Sequence, residues 1–361
     1  MPNQKTSVAI VFNHVGEDEY EKLKDVDPKS LDFKPEYDIH VATIMEEYEA
    51  IEKALNEEGY EPSIFNVQDD LSRLHTFLES NPPDVVFNLL EYFRDEPKLE
   101  SLVAGLYDLH GVPYTGAPPF ALALCQRKGL TKQVLLANGV RTPRFHLLLK
   151  PHLRSRHGLH YPLIVKPARE DASTGVHRTS VVYDQAQLTE RIEAAFKEFA
   201  PPILVEEFIE GRELHVAVLG NDPPEVLPIL EYDFSSLPEE YPRIISYSAK
   251  WEPLQEEFHR VHTICPAPLP KRVEARVREK AVMAYTLTGC RDYARVDMRL
   301  SKDNRVYVLE VNPNPDLTEG VSFMESAEKA DMKFSETLKR IIEMALQRRP
   351  APPPVSATPD S

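Results

Sequence analysis

Cysteine is scarce in this sequence of 361 residues, and the motifs built on cysteine are missing. The three cysteines, Cys125, Cys265 and Cys290, are far apart and none belongs to a CxxC pair, so neither a disulfide framework nor a zinc site is indicated. No apolar run approaches the roughly 18 residues that cross a bilayer, and the apolar stretch near the start is too short for a secretory signal. These absences predict a soluble protein of the reducing cytoplasm.

Positive charge is also in deficit. Lysine and arginine total 42 against 58 aspartates and glutamates, which gives a net charge of −16. Such a surface repels phosphate backbones and anionic lipids. We therefore expect neither nucleic acid nor a membrane as a partner.

The usual phosphate-binding loops are missing too, because neither GxGxxG nor GxxxxGK[ST] occurs. The first 125 residues nevertheless alternate strand-like and helix-like segments, which favours a parallel sheet with crossover helices. The strands are expected at Ser7–Phe12, Ser63–Val67 and Val85–Leu90, and the helices at Ile44–Leu55, Leu71–Leu78 and Leu99–Leu109. The N-terminal lobe is therefore predicted to be Rossmann-like, an α/β unit.

Beyond a helix-like stretch at Phe120–Asn138 the pattern changes to strands with few long helices between them, which favours two α+β lobes. The strands are expected at Phe145–Leu149, Leu163–Pro167, Ile203–Ile209, Leu214–Leu219, Val226–Phe234, Arg291–Leu300 and Val306–Val311, and the later helices at Lys271–Leu287 and Phe334–Leu346. The predicted domains are 1–125, 126–212 and 213–346. The proline-rich end, 347–361, is expected to be a disordered tail.

An acidic connection, Gly16–Asp38, separates the first strand from the first helix and is unusually long. It is either a solvated loop or a lid, since the loop after the first strand lies at the carboxyl end of the sheet, where ligands gather.

The strongest local signal is a pair of strands interrupted by carboxylates. Asp297 and Glu310 each stand in an otherwise apolar strand, and Asn312 shares a strand face with Glu310. Buried carboxylates need a partner or a cation, and two carboxylates with an amide oxygen suit Mg²⁺. Arg295 lies on the same face as Asp297, where it can stabilise developing negative charge. The alternative is a structural ion pair of Asp297 with Arg295 or Arg299 at a sheet surface.

Two further segments suit nucleotide binding. Lys166 ends an apolar strand and precedes a turn with hydroxyl and glycine residues, whose backbone N–H groups can hold phosphate. In the second segment, Ile203–Glu213, a strand leads into a connector with a carboxylate on either side of Gly211. Adenine binds in an apolar slot with a backbone donor and acceptor, and ribose hydroxyls bind a carboxylate. The alternatives are a solvated lysine and an acidic hairpin edge.

Together these segments resemble the ATP-grasp enzymes, in the order and spacing of their D-alanine–D-alanine ligase branch. The resemblance runs from about Val85 to Ser322 and is supported by the strings Gly111–Gly116, Arg127–Lys132 with Asn138–Pro143, and Tyr247–Trp251. It implies a Rossmann-like lobe followed by a two-lobe ATP-grasp domain. It also implies ATP and two Mg²⁺ ions, for which Mn²⁺ can substitute, and a homodimer formed through the first lobe.

The resemblance further implies residue roles. Lys128, Lys166 and Ser173 would bind the nucleotide phosphates, Glu206 the adenine amino group, Glu207 and Ile209 the ring through their backbones, Glu213 the ribose, Lys250 the γ-phosphate, Arg295 the tetrahedral intermediate, and Asp297, Glu310 and Asn312 the metal ions. The implied reaction makes an acyl phosphate from ATP and a carboxylate, and an amine then attacks it. The segments 172–174 and 246–253 are the expected lids.

Rival functions are an ATP-grasp carboxylate kinase or thiol ligase, and a nucleotide-binding regulatory protein without turnover. The substrate site departs from the family. Its glycine-serine turn after the first strand is replaced by Asn13–Glu17, and Asp171, Ala172 and Asp316 stand at usual glycine or serine positions. The acidic groups Glu17, Asp316 and Glu319 are expected near the substrates, where they would favour a cationic amine over D-alanine.

Overall fold

Three β-sheets form the framework of the protein in a computed structural model that describes residues 5–349. The predicted disordered tail therefore lies, from Pro350 onward, outside the described residues. No helix in the described range is long and apolar enough to span a membrane.

The N-terminal sheet is parallel, with strand order β2-β1-β3. Its elements are β1 (Ser7–Phe12), α1 (Ile44–Glu57), β2 (Glu61–Asn66), α2 (Leu71–Ser80), β3 (Val85–Asn88) and α3 (Glu100–His110). Thr43 and Glu46 form a capping box that fixes the start of α1 after the long acidic connection. Because β1 is central and nearly all buried, its continuous apolar run was a reliable strand signal.

Two helices, α4 (Pro119–Cys125) and α5 (Lys128–Ala137), replace the single helix-like stretch expected at Phe120–Asn138. The chain leaves helical geometry at Arg127, whose φ and ψ are −95° and 73°. This break starts a new helix at Lys128 and so directs that lysine toward the cleft described below.

The central sheet is antiparallel, with order β4-β7-β5-β6. Its elements are β4 (Phe145–Leu148), β5 (Leu163–Pro167), β6 (Val181–Val182), α6 (Gln185–Glu198) and β7 (Ile203–Glu207). Helix α6 was not predicted from the sequence. It buries Leu188, Ile192 and Ala195 against the sheet, and this lobe thereby has its own small core.

The C-terminal sheet is antiparallel, with order β11-β10-β8-β12-β13 and β9 paired to β8. Its elements are β8 (Gly211–Leu219), β9 (Glu225–Val226), β10 (Leu230–Asp233), α7 (Tyr247–Trp251), α8 (Glu256–His259), β11 (His262–Ile264), α9 (Lys271–Thr288), β12 (Tyr293–Ser301), β13 (Val306–Asn312), α10 (Ser322–Glu328) and α11 (Phe334–Leu346). The single strand expected at Val226–Phe234 was wrong. Pro228 interrupts it, because proline has no N–H for the ladder.

The N-terminal and C-terminal sheets share hydrophobic cores. Val11 belongs to one cluster with Val216 and Val296, and Ile10 belongs to another with Leu219. The central lobe is joined to this body mainly through connectors, so a cleft lies between them. The fold is the predicted Rossmann-like lobe followed by two further lobes, each built on an antiparallel sheet. The domain limits stay predictions, and the boundary at 212/213 falls inside β8.

Candidate active site

A cleft between the central and C-terminal sheets collects most of the residues singled out from the sequence. Those lining it are Lys128, Lys166, Ser173, Glu206, Glu207, Ile209, Glu213, Lys250, Arg295, Asp297 and Glu310, while Asn312 lines the cavity that adjoins it. These side chains come from strands, turns and loops of both lobes. A ligand in the cleft is therefore held by the two lobes together.

One wall of the cleft contains a buried chain of alternating charges. Glu206 Oε1 lies 2.8 Å from Lys166 Nζ, and Glu206 Oε2 lies 2.8 Å from Lys132 Nζ. Burial opposes ionisation of Glu206, but the two lysines hold its pKa below its ordinary value. Lys132 also donates to Thr142 Oγ1 at 2.8 Å. Both oxygens of Glu206 thus lie within ion-pair distance of a lysine, but the buried Oε2 forms no hydrogen bond within the described residues. The predicted contact of Glu206 with adenine stays a proposal.

Lys128 bridges two acidic residues from different lobes. Its Nζ lies 2.8 Å from Asp171 Oδ1 and 2.9 Å from Glu310 Oε2. Burial would raise the pKa of Glu310, but Lys128 and Lys166 pull it well below its ordinary value. Glu310 is therefore an anion at neutral pH, and Lys128 ties the turn of Asp171 to strand β13.

The two interrupted strands, β12 and β13, pair directly, so their polar residues meet. Asp297 lies opposite Glu310 and Arg295 lies opposite Asn312, with a register shift after Asp297 that marks a β-bulge. Arg295 Nε donates to Asp297 Oδ1 at 2.7 Å, and Asn312 Nδ2 donates to Asp297 Oδ2 at 2.9 Å. Burial raises the pKa of Asp297 even though Arg295 opposes this effect. The ion pair considered as an alternative is present, but inside the cleft rather than at a sheet surface.

These residues fit a hard divalent cation by their donor chemistry. Asp297 and Glu310 face each other across the strand pair, and rotation of the Asn312 amide adds a neutral oxygen. No group of three or more His, Cys, Asp or Glu side chains within residues 5–349 has metal-binding geometry. A cation held here would thus complete its shell from phosphate oxygens and water, as Mg²⁺ does.

The opposite end of the cleft carries the residues predicted to bind adenosine. Glu213 pairs with Arg299 at 2.6 Å, and the Arg299 guanidinium lies 4.9 Å from the Phe208 ring centroid. The backbone of Ile209 forms no hydrogen bond within the described range. Its N–H and C=O are therefore available to a ligand, as the predicted ring contact requires.

The two predicted lids contact each other. Trp251 Nε1 donates to the carbonyl of Ala172 at 2.7 Å, and Ser173 Oγ donates to the carbonyl of Ile245 at 3.1 Å. Lys250 lies on the same short helix, α7, and burial lowers its pKa. The acidic connection joins them, because Tyr20 Oη donates to the carbonyl of Trp251 at 3.3 Å. Its role as a lid stays a prediction.

The three acidic residues expected at the substrate site are not brought together. Asp316 lines a cavity that adjoins the cleft. The Glu17 side chain is 89% exposed and lies 4.0 Å from Lys22, and Glu319 lines a separate cavity beside Met324. The expectation that Glu17 and Glu319 share a site with Asp316 is therefore corrected. Asp316 is joined instead by Glu47 and Glu91.

Four residues of the site region were missed by the sequence reasoning: Lys132, His215, Glu47 and Glu91. His215 lies opposite Asp297 in the β8–β12 register, and its Nε2 is 3.6 Å from Asp297 Oδ1. Burial and Arg295 lower the pKa of His215, so it is neutral. A signal existed for Glu91, which follows β3 at the carboxyl edge of the parallel sheet. The sequence contains no such signal for Lys132, because its partner, Glu206, is distant in sequence.

Comparison with known proteins agrees with this geometry. Residues 137–343 match the family model described as D-ala D-ala ligase C-terminus. The uncharacterized protein y4sG of Sinorhizobium fredii is 32% identical over 307 residues, which cover 83% of this chain and 87% of that protein. The D-alanine–D-alanine ligase of Syntrophotalea carbinolica is 33% identical over 302 residues, covering 83% and 90%.

Solved structures agree on the fold. The D-alanine–D-alanine ligase of Bacillus anthracis complexed with ATP superposes with a TM-score of 0.70 at 22% identity, covering 96% of this chain and 99% of that one. The resemblance and the fold predicted from the sequence are thereby confirmed. The chain belongs to the D-alanine–D-alanine ligase family of ATP-grasp enzymes.

Proposed function

We propose that the protein is an ADP-forming ligase that uses ATP and Mg²⁺ to join a carboxylate and an amine through an acyl phosphate. The observation that carries this proposal is the facing pair Asp297 and Glu310, with Arg295 beside them, in a cleft that also contains Lys128 and Lys166. That arrangement suits a metal nucleotide with a reacting carboxylate next to it.

The chain's own residues supply positioning and charge compensation. Lys128 and Lys166 offer ammonium groups to phosphate oxygens, and Lys250 approaches from the lid. Arg295 is fixed by Asp297, so its guanidinium is already oriented toward an oxyanion that forms when an amine attacks. Bound Mg²⁺ would neutralise phosphate charge and polarise the transferred group.

Closure over the site protects the reactive intermediate. The contact between Trp251 and Ala172 brings the two lids together above the lysines. Lids held together in this way would exclude water once substrates are bound, which favours amine attack over hydrolysis of an acyl phosphate. The regulatory alternative is not favoured, because a nucleotide binder without turnover does not need Arg295 beside the facing carboxylates Asp297 and Glu310.

The test is to incubate the protein with ATP, Mg²⁺ and pooled carboxylates and amines, and to follow both ADP release and condensed products by mass spectrometry. We expect ADP only when an acid and an amine are both present, and a product mass equal to their sum less one water. ADP formation with the acid alone and no condensed product would instead indicate a carboxylate kinase. Nucleotide binding without ADP from any pool would indicate a regulatory protein.

A further inference from the structure

A second cavity of about 230 Å³ lies at the carboxyl edge of the N-terminal sheet. It communicates with the nucleotide cleft through an adjoining cavity that is lined by Lys250, Arg295, Glu91 and Asp316. A substrate in this second cavity therefore reaches toward the place where the acyl phosphate forms in the proposed reaction.

Its lining is acidic and aromatic. Glu47, Glu91 and Asp316 contribute carboxylates, and Tyr48 and Tyr92 contribute rings. Among the described residues that line it there is no lysine, arginine or histidine. An anionic group inside it would meet three acidic side chains, with Lys250 and Arg295 only in the adjoining cavity, whereas an ammonium would meet carboxylates and ring faces.

The carboxylates also repel one another. Burial, followed by the charge of Asp316, raises the pKa of both Glu47 and Glu91 to about 7. Glu91 nevertheless has an exposed surface, because it faces the open cavity rather than packed protein. Lys250 faces Glu91 and partly offsets this repulsion. In the proposed reaction Lys250 contacts phosphate, so another cation is then needed beside the carboxylates.

One neutral polar side chain, that of Asn88, also faces the cavity. Asn88 is 3% exposed and lines the cavity wall. Its Oδ1 accepts from Tyr107 at 3.2 Å, whereas its Nδ2, which forms no hydrogen bond within residues 5–349, opens to the cavity instead of being buried in packed protein. This donor can therefore be satisfied by a ligand atom that carries a lone pair, such as the nitrogen of an unprotonated amine. The cavity wall thus offers one neutral donor to an amine or other acceptor of the substrate.

We infer that this cavity binds an amine substrate that carries a second, ammonium-type group and no free carboxylate, that is, an aliphatic diamine or polyamine. The inference rests on the proposed function, since it assigns the amine of that reaction. It differs from D-alanine, whose α-carboxylate has no cation to pair with in the cavity. The second ammonium lies among Glu47, Glu91 and Asp316, and the other amine extends toward Arg295.

Binding can be measured without knowing the acid. Calorimetric titrations of 1,4-diaminobutane, n-butylamine and D-alanine are carried out on the protein saturated with Mg²⁺ and a non-hydrolysable ATP analogue. The first two probes have the same carbon chain and differ by one ammonium group. We expect diaminobutane to bind about tenfold or more tighter than butylamine, and D-alanine to bind more weakly than either.

Variants assign the effect to the cavity. Glu91→Gln and, separately, Asp316→Asn are expected to reduce the preference for diaminobutane to about threefold or less. Glu319→Gln is the matched control, because Glu319 is exposed and lines a different cavity. Thermal unfolding verifies that each variant is folded, and the second variant replaces the first if one is not.

The outcomes separate the two proposals. Absence of binding by the ATP analogue contradicts the proposed function itself. Analogue binding together with tighter binding of D-alanine, equal binding of the two amines, or no amine binding overturns the assignment of a cationic amine and leaves the ligase proposal standing. An unchanged amine preference in both Glu91→Gln and Asp316→Asn overturns it as well.

Discussion

The indole Nε1–H of Trp251 donates a hydrogen bond of 2.7 Å to the backbone carbonyl of Ala172. This bond joins the turn at 172–174 in the central lobe to helix α7, which carries Lys250. The Lys250 ammonium lies 4.6 Å from the centroid of the Trp251 ring, in cation–π geometry. Ala172, which accepts this hydrogen bond, has a φ of 54°. This is the left-handed backbone conformation, which residues other than glycine rarely adopt. The Trp251 side chain thus contacts Lys250 through its ring and holds the turn at Ala172 through its N–H.

Replacement of Trp251 by phenylalanine keeps a ring beside Lys250 but removes the N–H donor. We expect the KM for ATP to rise about fivefold, the equivalent of one hydrogen bond of about 1 kcal/mol, while kcat falls less. Trp251→Ala should lower kcat further, because Lys250 also loses the ring. Tyr183→Phe, at an exposed position outside the cleft, is the control. An unchanged KM in Trp251→Phe would mean that the hydrogen bond between Trp251 and Ala172 does not contribute to ATP binding.

Trp251 is the only tryptophan of the chain, so its emission reports on the same contact. Because the indole belongs to one lid and contacts the other, nucleotide binding should alter its surroundings and shift its emission. The measurement is a fluorescence titration with ATP and Mg²⁺ in parallel with calorimetry. A spectrum that stays constant while calorimetry reaches saturation speaks against lid closure.

Asp297→Asn and Glu310→Gln test the proposed metal residues. Each removes a negative charge from the facing pair without changing side-chain size, so we expect kcat for ADP release to fall about 100-fold or more while the fold persists. Asp303→Asn is the control, because Asp303 is an exposed residue in the turn between the same two strands. Turnover is measured at limiting Mg²⁺. Wild-type rates in either cleft variant would show that these carboxylates do not hold the ion.

Glu206→Gln tests the buried charge chain. The substitution leaves Lys132 and Lys166 in the interior without their counter-charge, a loss expected to cost about 3–5 kcal/mol in the free energy of unfolding. Glu210→Gln is the control, since Glu210 forms only an exposed pair with Lys302. Urea unfolding of both variants provides the comparison. A Glu206→Gln protein as stable as the control would mean that the lysines find other partners.

The parts of the site that were predictable from sequence lie on strands with a clear pattern. Asp297 and Glu310 interrupt apolar strands, and strand periodicity placed Arg295 and Asn312 on the same faces. The resemblance then supplied the order of the remaining segments. Helix α6 was missed because strands on both sides dominated the pattern, although Asp184 caps its start by accepting from Gln187 N–H.

The second cavity, at the carboxyl edge of the N-terminal sheet, was less predictable, because it is assembled from segments that are distant in sequence. Glu47 lies on α1, Glu91 follows β3, and Asp316 follows β13, and only the folded chain brings them to one cavity. Acidic residues near a motif in sequence were a poor guide, since Glu17 and Glu319 point elsewhere. Long-range packing, which periodicity does not encode, determined which carboxylates line the cavity.

The raised pKa of Glu91 predicts a pH dependence of stability. Its ordinary value is 4.5 and its value in the folded protein is about 7, owing to burial and to Asp316. Between those pH values the folded state binds more protons than the unfolded state, so the stabilising contribution present below pH 4.5 is lost as pH rises through 7.

Glu91→Gln removes this loss of stability. Relative to wild type, the variant should therefore gain about 1 kcal/mol in the free energy of unfolding on going from pH 5 to pH 8, after allowance for solvent screening of an exposed side chain. Urea unfolding at both pH values measures the gain, with Glu319→Gln as the control variant. An equal difference from wild type at pH 5 and pH 8 would mean that Glu91 titrates like an ordinary surface glutamate.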